Sequence, residues 1–487
     1  MATGKRVAVI GAGPAGALAT DALVKEHAFE TIRVFERQDK FGGTWVYNAD
    51  HTRRIPSLRA LIEHRADQPV RIPPALPCQS PKEYIVSSPE FRYADSGAHE
   101  HLHSNVAPEV MASTQEPIPE VVSERMKAQY GLDCPFRHRE LMREWVEGIF
   151  TRGNHLGLVE LNTTLERAEK VDNEWVLTLR KSIPGEENDY WWQERFDYLV
   201  VATGHFYLPY MPAIPGLVEF DEKFPGRILH CKHYPELSHF EGKRVVVVGG
   251  SISAFDTLHD IRAVTKGPVI SSLREPNPSF GWAPFTHPSI DVRSEISSFD
   301  PETGRINFAD GSWADDVDLV IFGTGYEFSF PFLPSIKVVN GRVPGLYEHV
   351  FNVDDPSLVF IGMVYGAFGI RVFEWQAVAA ARVLAGHATL PSRSEMEAWE
   401  KDRVAKKGDN VSFLSLIPDF EEPYEALRAI ASDPAAGTEG RILPKYDPAW
   451  GDAFWRVVKY RQDWWQEEAE KEKRQQEASS ATGCEAI

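Results

Sequence analysis

Uninterrupted apolar runs, each closed by a glycine-containing turn, punctuate the chain. Arg6-Val7-Ala8-Val9-Ile10 has the character of a strand buried on both faces, and Ile32-Arg33-Val34-Phe35 forms a second strand after a helix carrying Leu18, Leu23 and Val24. The pattern returns at Arg244-Val245-Val246-Val247-Val248 and Pro268-Val269-Ile270-Ser271-Ser272, with another helix between them. Residues 196–201 and 319–322 are further buried strands that lead into Thr203-Gly204 and Thr324-Gly325. Helical spacing over 136–149 puts Leu141, Trp145 and Ile149 on one stripe. Alternation from Leu158 to Leu179 predicts short strands turning at Asp172-Asn173, and a helix is predicted from Phe373 through Val378, Ala381 and Leu384. Strand and helix alternate, so the fold class is α/β, with two Rossmann-like dinucleotide-binding domains.

The two turns carry the chemistry. Gly11-Ala12-Gly13-Pro14-Ala15-Gly16 is G-x-G-x-x-G between a strand and a helix. Gly11 permits the tight turn, Gly13 lets the backbone approach a pyrophosphate, and Gly16 allows close packing of helix on strand, while the helix N-terminus offers free N–H groups. Glu36 ends the next strand about twenty residues on, where a carboxylate can hold ribose hydroxyls. The second turn, Gly249-Gly250-Ser251-Ile252-Ser253-Ala254 followed by Asp256, departs from the pattern: Ser251 and Ala254 replace the second and third glycines. Its following strand ends in Arg274, not an acid. An arginine there can pair with a 2′-phosphate, with Ser272 as an additional donor, which selects NADPH; the alternative is a solvated surface charge.

Two further strings point to a family. Lys40-Phe41-Gly42-Gly43-Thr44-Trp45 follows the acid of the first nucleotide fold, and Phe224-x-Gly226-x-x-x-His230-x-x-x-Tyr234 lies just before the second turn. With these the chain resembles the flavin-containing monooxygenases, whose fingerprint it matches at every fixed position. The resemblance implies that the first fold holds FAD, with Glu36, Thr44 and Trp45 as contacts. It implies a G-x-G-x-S-x-x-D pattern at the second turn, of which Gly249, Ser253 and Asp256 remain. His101-Leu102-His103-Ser104-Asn105-Val106 resembles the family segment whose asparagine faces flavin and nicotinamide; otherwise Asn105 serves a loop turn. Thr203-Gly204 and Thr324-Gly325 would mark the crossings between domains, and Gln376 lies on a helix resembling the one beside the flavin. His230 is either a structural residue of the linker or a polar contact near the nicotinamide nucleotide.

In such enzymes reduced flavin captures O2 as a C4a-hydroperoxide, which passes oxygen to a nucleophilic nitrogen or sulfur and survives only where water and protons are kept away. An uncharged amide such as Asn105 suits that requirement. The alternative is Baeyer–Villiger oxidation of a ketone on the same scaffold, whose similar fingerprint ends in tryptophan and often proline. Here Tyr234 favours the first reading, and Pro235 keeps the second open.

The 487 residues are enough for two cores, and the expected organisation is an FAD domain at 1–211 and 318–446, an inserted NADPH domain at 212–317, and a C-terminal helix and disordered tail at 447–487. A net charge of −19 argues against nucleic acid or an anionic membrane surface as partner. The four cysteines form no C-x-x-C pair, which removes the flavin disulfide reductases and makes a reducing, cytoplasmic compartment the default. The sixteen histidines show no H-E-x-x-H, so no metal site is expected. No signal peptide or spanning run is evident, so a soluble protein is expected. The aromatic stripe Trp450, Phe454, Trp455, Val458, Trp464 and Trp465 predicts a helix docked on the body or on a second copy of the chain, and its charged continuation is expected to fray. Partners are therefore O2, a small-molecule substrate and, at most, a homo-oligomer.

Two outcomes follow from these motifs. Arg274→Ala should raise the Kd for NADPH far more than that for NADH, and equal losses would remove the phosphate role. Asn105→Ala should shorten the lifetime of the oxygenated flavin in stopped-flow spectra, and unchanged decay would leave Asn105 a turn residue.

Overall fold

The computed structural model describes residues 4–49, 55, 57–82, 84, 95–366 and 368–484, so Pro56 and Pro89 of the proline-rich stretch after Trp45 lie outside the described residues. The chain forms two compact units. One comprises Met1–Tyr47, Asp67–Leu208 and Glu327–Phe454; the other comprises Asn48–Ala66, Pro209–Tyr326 and Trp455–Ile487.

In the first unit the strand Lys5–Ile10 lies between Phe29–Phe35 and Tyr198–Val201, parallel to both, with Val9 opposite Val34 and Val200. The sheet extends through Val159–Glu160 on one side and through Leu358–Phe360, Phe351–Asn352 and Leu346–Tyr347 on the other. Val7 to Ile10 are all buried, as a central parallel strand requires. A second, antiparallel sheet orders Cys78–Pro81, Asn188–Phe196, Glu174–Lys181 and Thr163–Val171. Asp172 and Asn173, at φ 50° and 71°, form the two-residue turn between its last two strands, where the strand twist favours left-handed residues. Ile10, Phe35, Leu177, Phe196, Val201 and Phe360 from the two sheets share one core.

The second unit is built on a five-stranded parallel sheet in the order Ile228–His230, Leu319–Phe322, Val245–Val248, Val269–Ser272 and Ile290–Arg293. The helix Ile252–Ile261 follows its central strand. The C-terminal helix runs unbroken over Pro448–Cys484, where fraying was expected. Its charged stretch is supported by one-turn pairs such as Lys471–Glu468 at 2.9 Å and Gln476–Glu472 at 3.1 Å. No helix among the described residues is long and apolar enough to cross a membrane.

Buried charge joins the helices of the first unit. Arg441, 3% exposed, donates to Glu374 Oε1 at 2.7 Å in the helix Arg371–Ala385 and to Asp21 in the helix Pro14–Lys25. Burial pushes the Asp21 carboxyl upward, but His155, Arg441 and Lys25 together outweigh it and hold its pKa below the ordinary value. Arg441→Met would leave the buried Glu374 without its cation and Asp21 with only Lys25 and His155, and should cost about 3–5 kcal/mol in denaturant unfolding. A loss under about 1 kcal/mol would mean that the pair is screened like a surface bridge.

Candidate functional site

The first glycine turn is a set of backbone contacts that exclude side chains. Gly11 has φ +106°, and a Cβ there would lie 2.6 Å from the carbonyl oxygen of Ala202; one at Gly16 would lie 1.9 Å from the carbonyl oxygen of Gly11. The Gly11 N–H donates to Phe35 O at 2.9 Å, and Ala202 N–H donates to Ile10 O at 2.9 Å, so the turn is pinned to both neighbouring strands. Pro14 and Ala15 open the helix, whose first N–H groups have no intrahelical partner. Gly13 packs so tightly on Gly43 that a Cβ on Gly13 would come within 3.3 Å of the Gly43 Cα. This brings Thr44 and Trp45, in the short turn Gly43–Trp45, beside the helix start. Trp45 Nε1 is buried with no hydrogen-bond acceptor among the described residues, an orphaned donor that a bound dinucleotide would satisfy.

Glu36, 5% exposed, accepts from Ala12 N–H at 2.7 Å and Gln38 N–H at 2.8 Å, and burial pushes its carboxyl up. Each oxygen retains a lone pair, so the carboxylate fixes the turn and can still receive ribose hydroxyls. Gln376, 1% exposed, accepts from Gly362 N–H at 2.9 Å, and Gly362 abuts Ala15, where its Cβ would sit 3.6 Å from that of Ala15. Thr203 and Gly204 continue from Ala202, with Gly204 at φ +67°. The predicted FAD residues on these elements therefore come together around one turn.

Ser104, Asn105 and Val106 form a braced bend. The buried Ser104 hydroxyl accepts from Arg137 N–H at 3.0 Å and donates to Val106 O at 3.0 Å, while Ser104 N–H donates to Arg137 O at 2.8 Å. Asn105 is left exposed. Downstream, Arg371 donates to Ala112 O at 3.0 Å and Glu109 O at 2.6 Å, and Glu374 accepts from Thr114 N–H at 2.7 Å. Sequence reasoning missed this clamp; its signal was the two charges, Arg371 and Glu374, that flank the start of a helix otherwise read as apolar.

The second turn repeats the first with the small residues exchanged. Gly249 N–H donates to Ser272 O at 2.9 Å and Gly323 N–H to Val248 O at 2.7 Å, matching Gly11 and Ala202. Ala254 stands where Gly16 stands, and Gly323 stands where Ala202 stands; a Cβ on Gly323 would lie 2.7 Å from the Ala254 Cα. In the first turn the Gly16 position is closed by the Gly11 carbonyl, with the Ala202 Cβ at 3.7 Å; in the second, glycine at 323 leaves the room that the Ala254 backbone and methyl occupy. Ser251 is the N-cap residue of Ile252–Ile261, and Ser253 O accepts from Thr257 Oγ1 at 2.8 Å. By backbone pairing the position answering to Glu36 is the buried Leu273, and Arg274 follows it, with its side chain 83% exposed and 3.6 Å from Glu295.

One expectation is corrected, and two further residues are found with protein partners. Ser272 is fully buried and its hydroxyl donates to Ser294 O at 2.9 Å, so it is not a donor beside Arg274. Asp256 pairs through one carboxylate oxygen with Arg461 of the C-terminal helix. His230 is 1% exposed and commits both nitrogens: Nδ1 accepts from Lys232 N–H at 3.0 Å and Nε2–H donates to Gly325 O at 3.1 Å. Burial pushes its pKa down to about 3, which favours the neutral ring. It positions the turn Thr324-Gly325, where Gly325 O also accepts from Tyr210 N–H at 2.9 Å and Thr324 Oγ1 donates to Tyr210 O at 2.6 Å.

Comparison with known proteins identifies the family. The flavin-binding monooxygenase-like family model matches residues 133–276 and 285–416, and an FAD-NAD(P)-binding model matches residues 8–104. The flavin-containing monooxygenase ustF2 of Aspergillus flavus is 26% identical, covering 92% of this chain and 96% of its own. A trimethylamine monooxygenase of Methylocella silvestris is 28% identical, covering 88% and 87%. The structure of S-allyl-L-cysteine S-oxygenase from Allium sativum shares the fold, with a TM-score of 0.72 at 23% identity, covering 94% and 93%. The chain belongs to the flavin-binding monooxygenase-like family, as an NADPH-dependent flavin monooxygenase with FAD and NADPH as its cofactors.

Proposed function

We propose that this protein transfers one atom of O2 to a nucleophilic nitrogen or sulfur of a small molecule, the other atom leaving as water while NADPH becomes NADP. The similar proteins named for trimethylamine and for S-allyl-L-cysteine oxygenation support that acceptor class. The observation that carries the reading is the braced bend of the first unit, which leaves the uncharged Asn105 exposed. An amide is not a proton source, and oxygen transfer to a lone pair needs none from the protein.

When bound, FAD accepts hydride from NADPH and passes the electrons to O2. The chain's own residues do the rest by placement. Gly11, Gly13, Pro14, Ala15 and Gly16 admit the FAD pyrophosphate to the helix start, Glu36 receives ribose hydroxyls, and Thr44, Trp45, Thr203, Gly204 and Gln376 complete the walls. Gly249, Ser251, Ser253 and Ala254 form the corresponding turn for NADPH, with Arg274 on its 2′-phosphate. Asn105 hydrogen-bonds at the reacting face, and preorganisation of this kind accounts for much of the rate.

Incubation with NADPH and isotopically labelled O2 tests the acceptor. A tertiary amine or a thioether should gain one labelled oxygen with its skeleton intact, whereas efficient conversion of a cyclic ketone to a lactone, with the amine and thioether untouched, would establish the ketone-oxidising reading that Pro235 leaves open. Asn105→Ala should retain FAD but release several-fold more hydrogen peroxide per NADPH consumed, about 1 kcal/mol in partitioning. An unchanged ratio would remove Asn105 from the reacting face.

A further inference from the structure

The second glycine turn keeps a serine where its family pattern has glycine, and the structure shows what restrains it. Asn277 Nδ2 donates to Ser251 Oγ at 3.0 Å, and Asn277 N–H donates to Gly250 O at 2.8 Å, so a single residue grips the turn twice. The loop that carries Asn277 is itself held: Gln462 Nε2 donates to Phe280 O at 3.2 Å and reaches Ser279 O at 3.4 Å. Phe280 meets Trp465 edge-on with centroids 5.6 Å apart, and Trp465 meets Phe255 at 5.0 Å. Between these rings lies Arg461, 5.2 Å from the Phe255 centroid, 5.4 Å from Phe280 and 4.7 Å from Trp465, with its Nη2 donating to Asp256. Phe255 and Asp256 belong to the helix Ile252–Ile261 that starts at the turn. One face of the C-terminal helix therefore grips both the nucleotide helix and the loop that folds over Gly250 and Ser251.

We infer that Arg461, Gln462 and Trp465 brace the pyridine-nucleotide turn, and that NADPH affinity in this chain depends on its C-terminal helix through Asn277. This rests on the assignment of the Gly249 turn to NADPH. A planar guanidinium that stacks on three rings while donating to a carboxylate holds helix and loop in one arrangement, which a lysine reproduces only in charge. Without the brace the loop must be ordered when the nucleotide binds, and that ordering is subtracted from affinity. Arg461, Gln462 and Trp465 are positioning residues and touch no nucleotide themselves.

Calorimetric titration of NADP+ into the full-length, FAD-loaded protein tests the brace without turnover. Arg461→Met and Asn277→Ala should each raise the Kd by about tenfold and Gln462→Ala by a smaller factor. Arg461→Lys should recover part of the loss. FAD content and the rate of flavin reduction at saturating NADPH should stay at the wild-type level. An Arg461→Met protein with full FAD and unchanged NADP+ affinity would overturn the inference. Should Arg461→Met fail to fold, unchanged affinity in both Asn277→Ala and Gln462→Ala overturns it equally. Wild-type protein that holds FAD but takes up no NADP+ would overturn the nucleotide reading, and the brace with it.

Discussion

Backbone lying directly on backbone at the ends of the parallel strands of two sheets is the constraint from which the rest of this structure follows. At each head a strand turns into a helix so tightly that a position facing the turn has no room for a side chain. In the first unit that position is Gly16, closed by the Gly11 carbonyl; in the second it is Gly323, closed by the start of the helix at Ala254. A dinucleotide site needs this closeness because the helix N–H groups must reach a pyrophosphate with no side chain intervening. Everything outside the turns keeps them in place.

The two units achieve this by different means. In the first, buried ions cross-link the elements: Arg441 joins Asp21 of the nucleotide helix to Glu374, and Arg371 and Glu374 secure the segment that follows Asn105. Such pairs are poor sources of net stability but strong specifiers of geometry, since breaking one leaves a buried charge without its counter-ion. In the second, a cation within an aromatic cluster and a carboxamide do the same work. Neither device brings an ionisable group with a mobile proton to the proposed reacting face, as suits a reaction in which stray protons are harmful.

Much of this was legible along the chain. The strands 6–10, 32–35 and 245–248, the glycine turns, Glu36 and the Asp172-Asn173 hairpin depend on local patterns, so periodicity and turn chemistry reveal them. The direction in which a side chain points at a strand end is set by what packs against it, which is why Ser272 read as a surface donor and proved buried against Ser294. Asp256 has its partner at Arg461, and His230 has one at Gly325; no local pattern announces a contact across such separations. The contact between Ala254 and Gly323 was hidden for the same reason: Ala254 alone looks like a departure, and only the fold brings Gly323 against it.

That pairing offers the most direct test. Gly323→Ala would set a Cβ 2.7 Å from the Ala254 N and Cα, and should give a protein that still carries FAD in full but whose flavin is no longer bleached by anaerobic NADPH. A Gly323→Ala protein reduced as fast as wild type would contradict the claim that this contact builds the NADPH site.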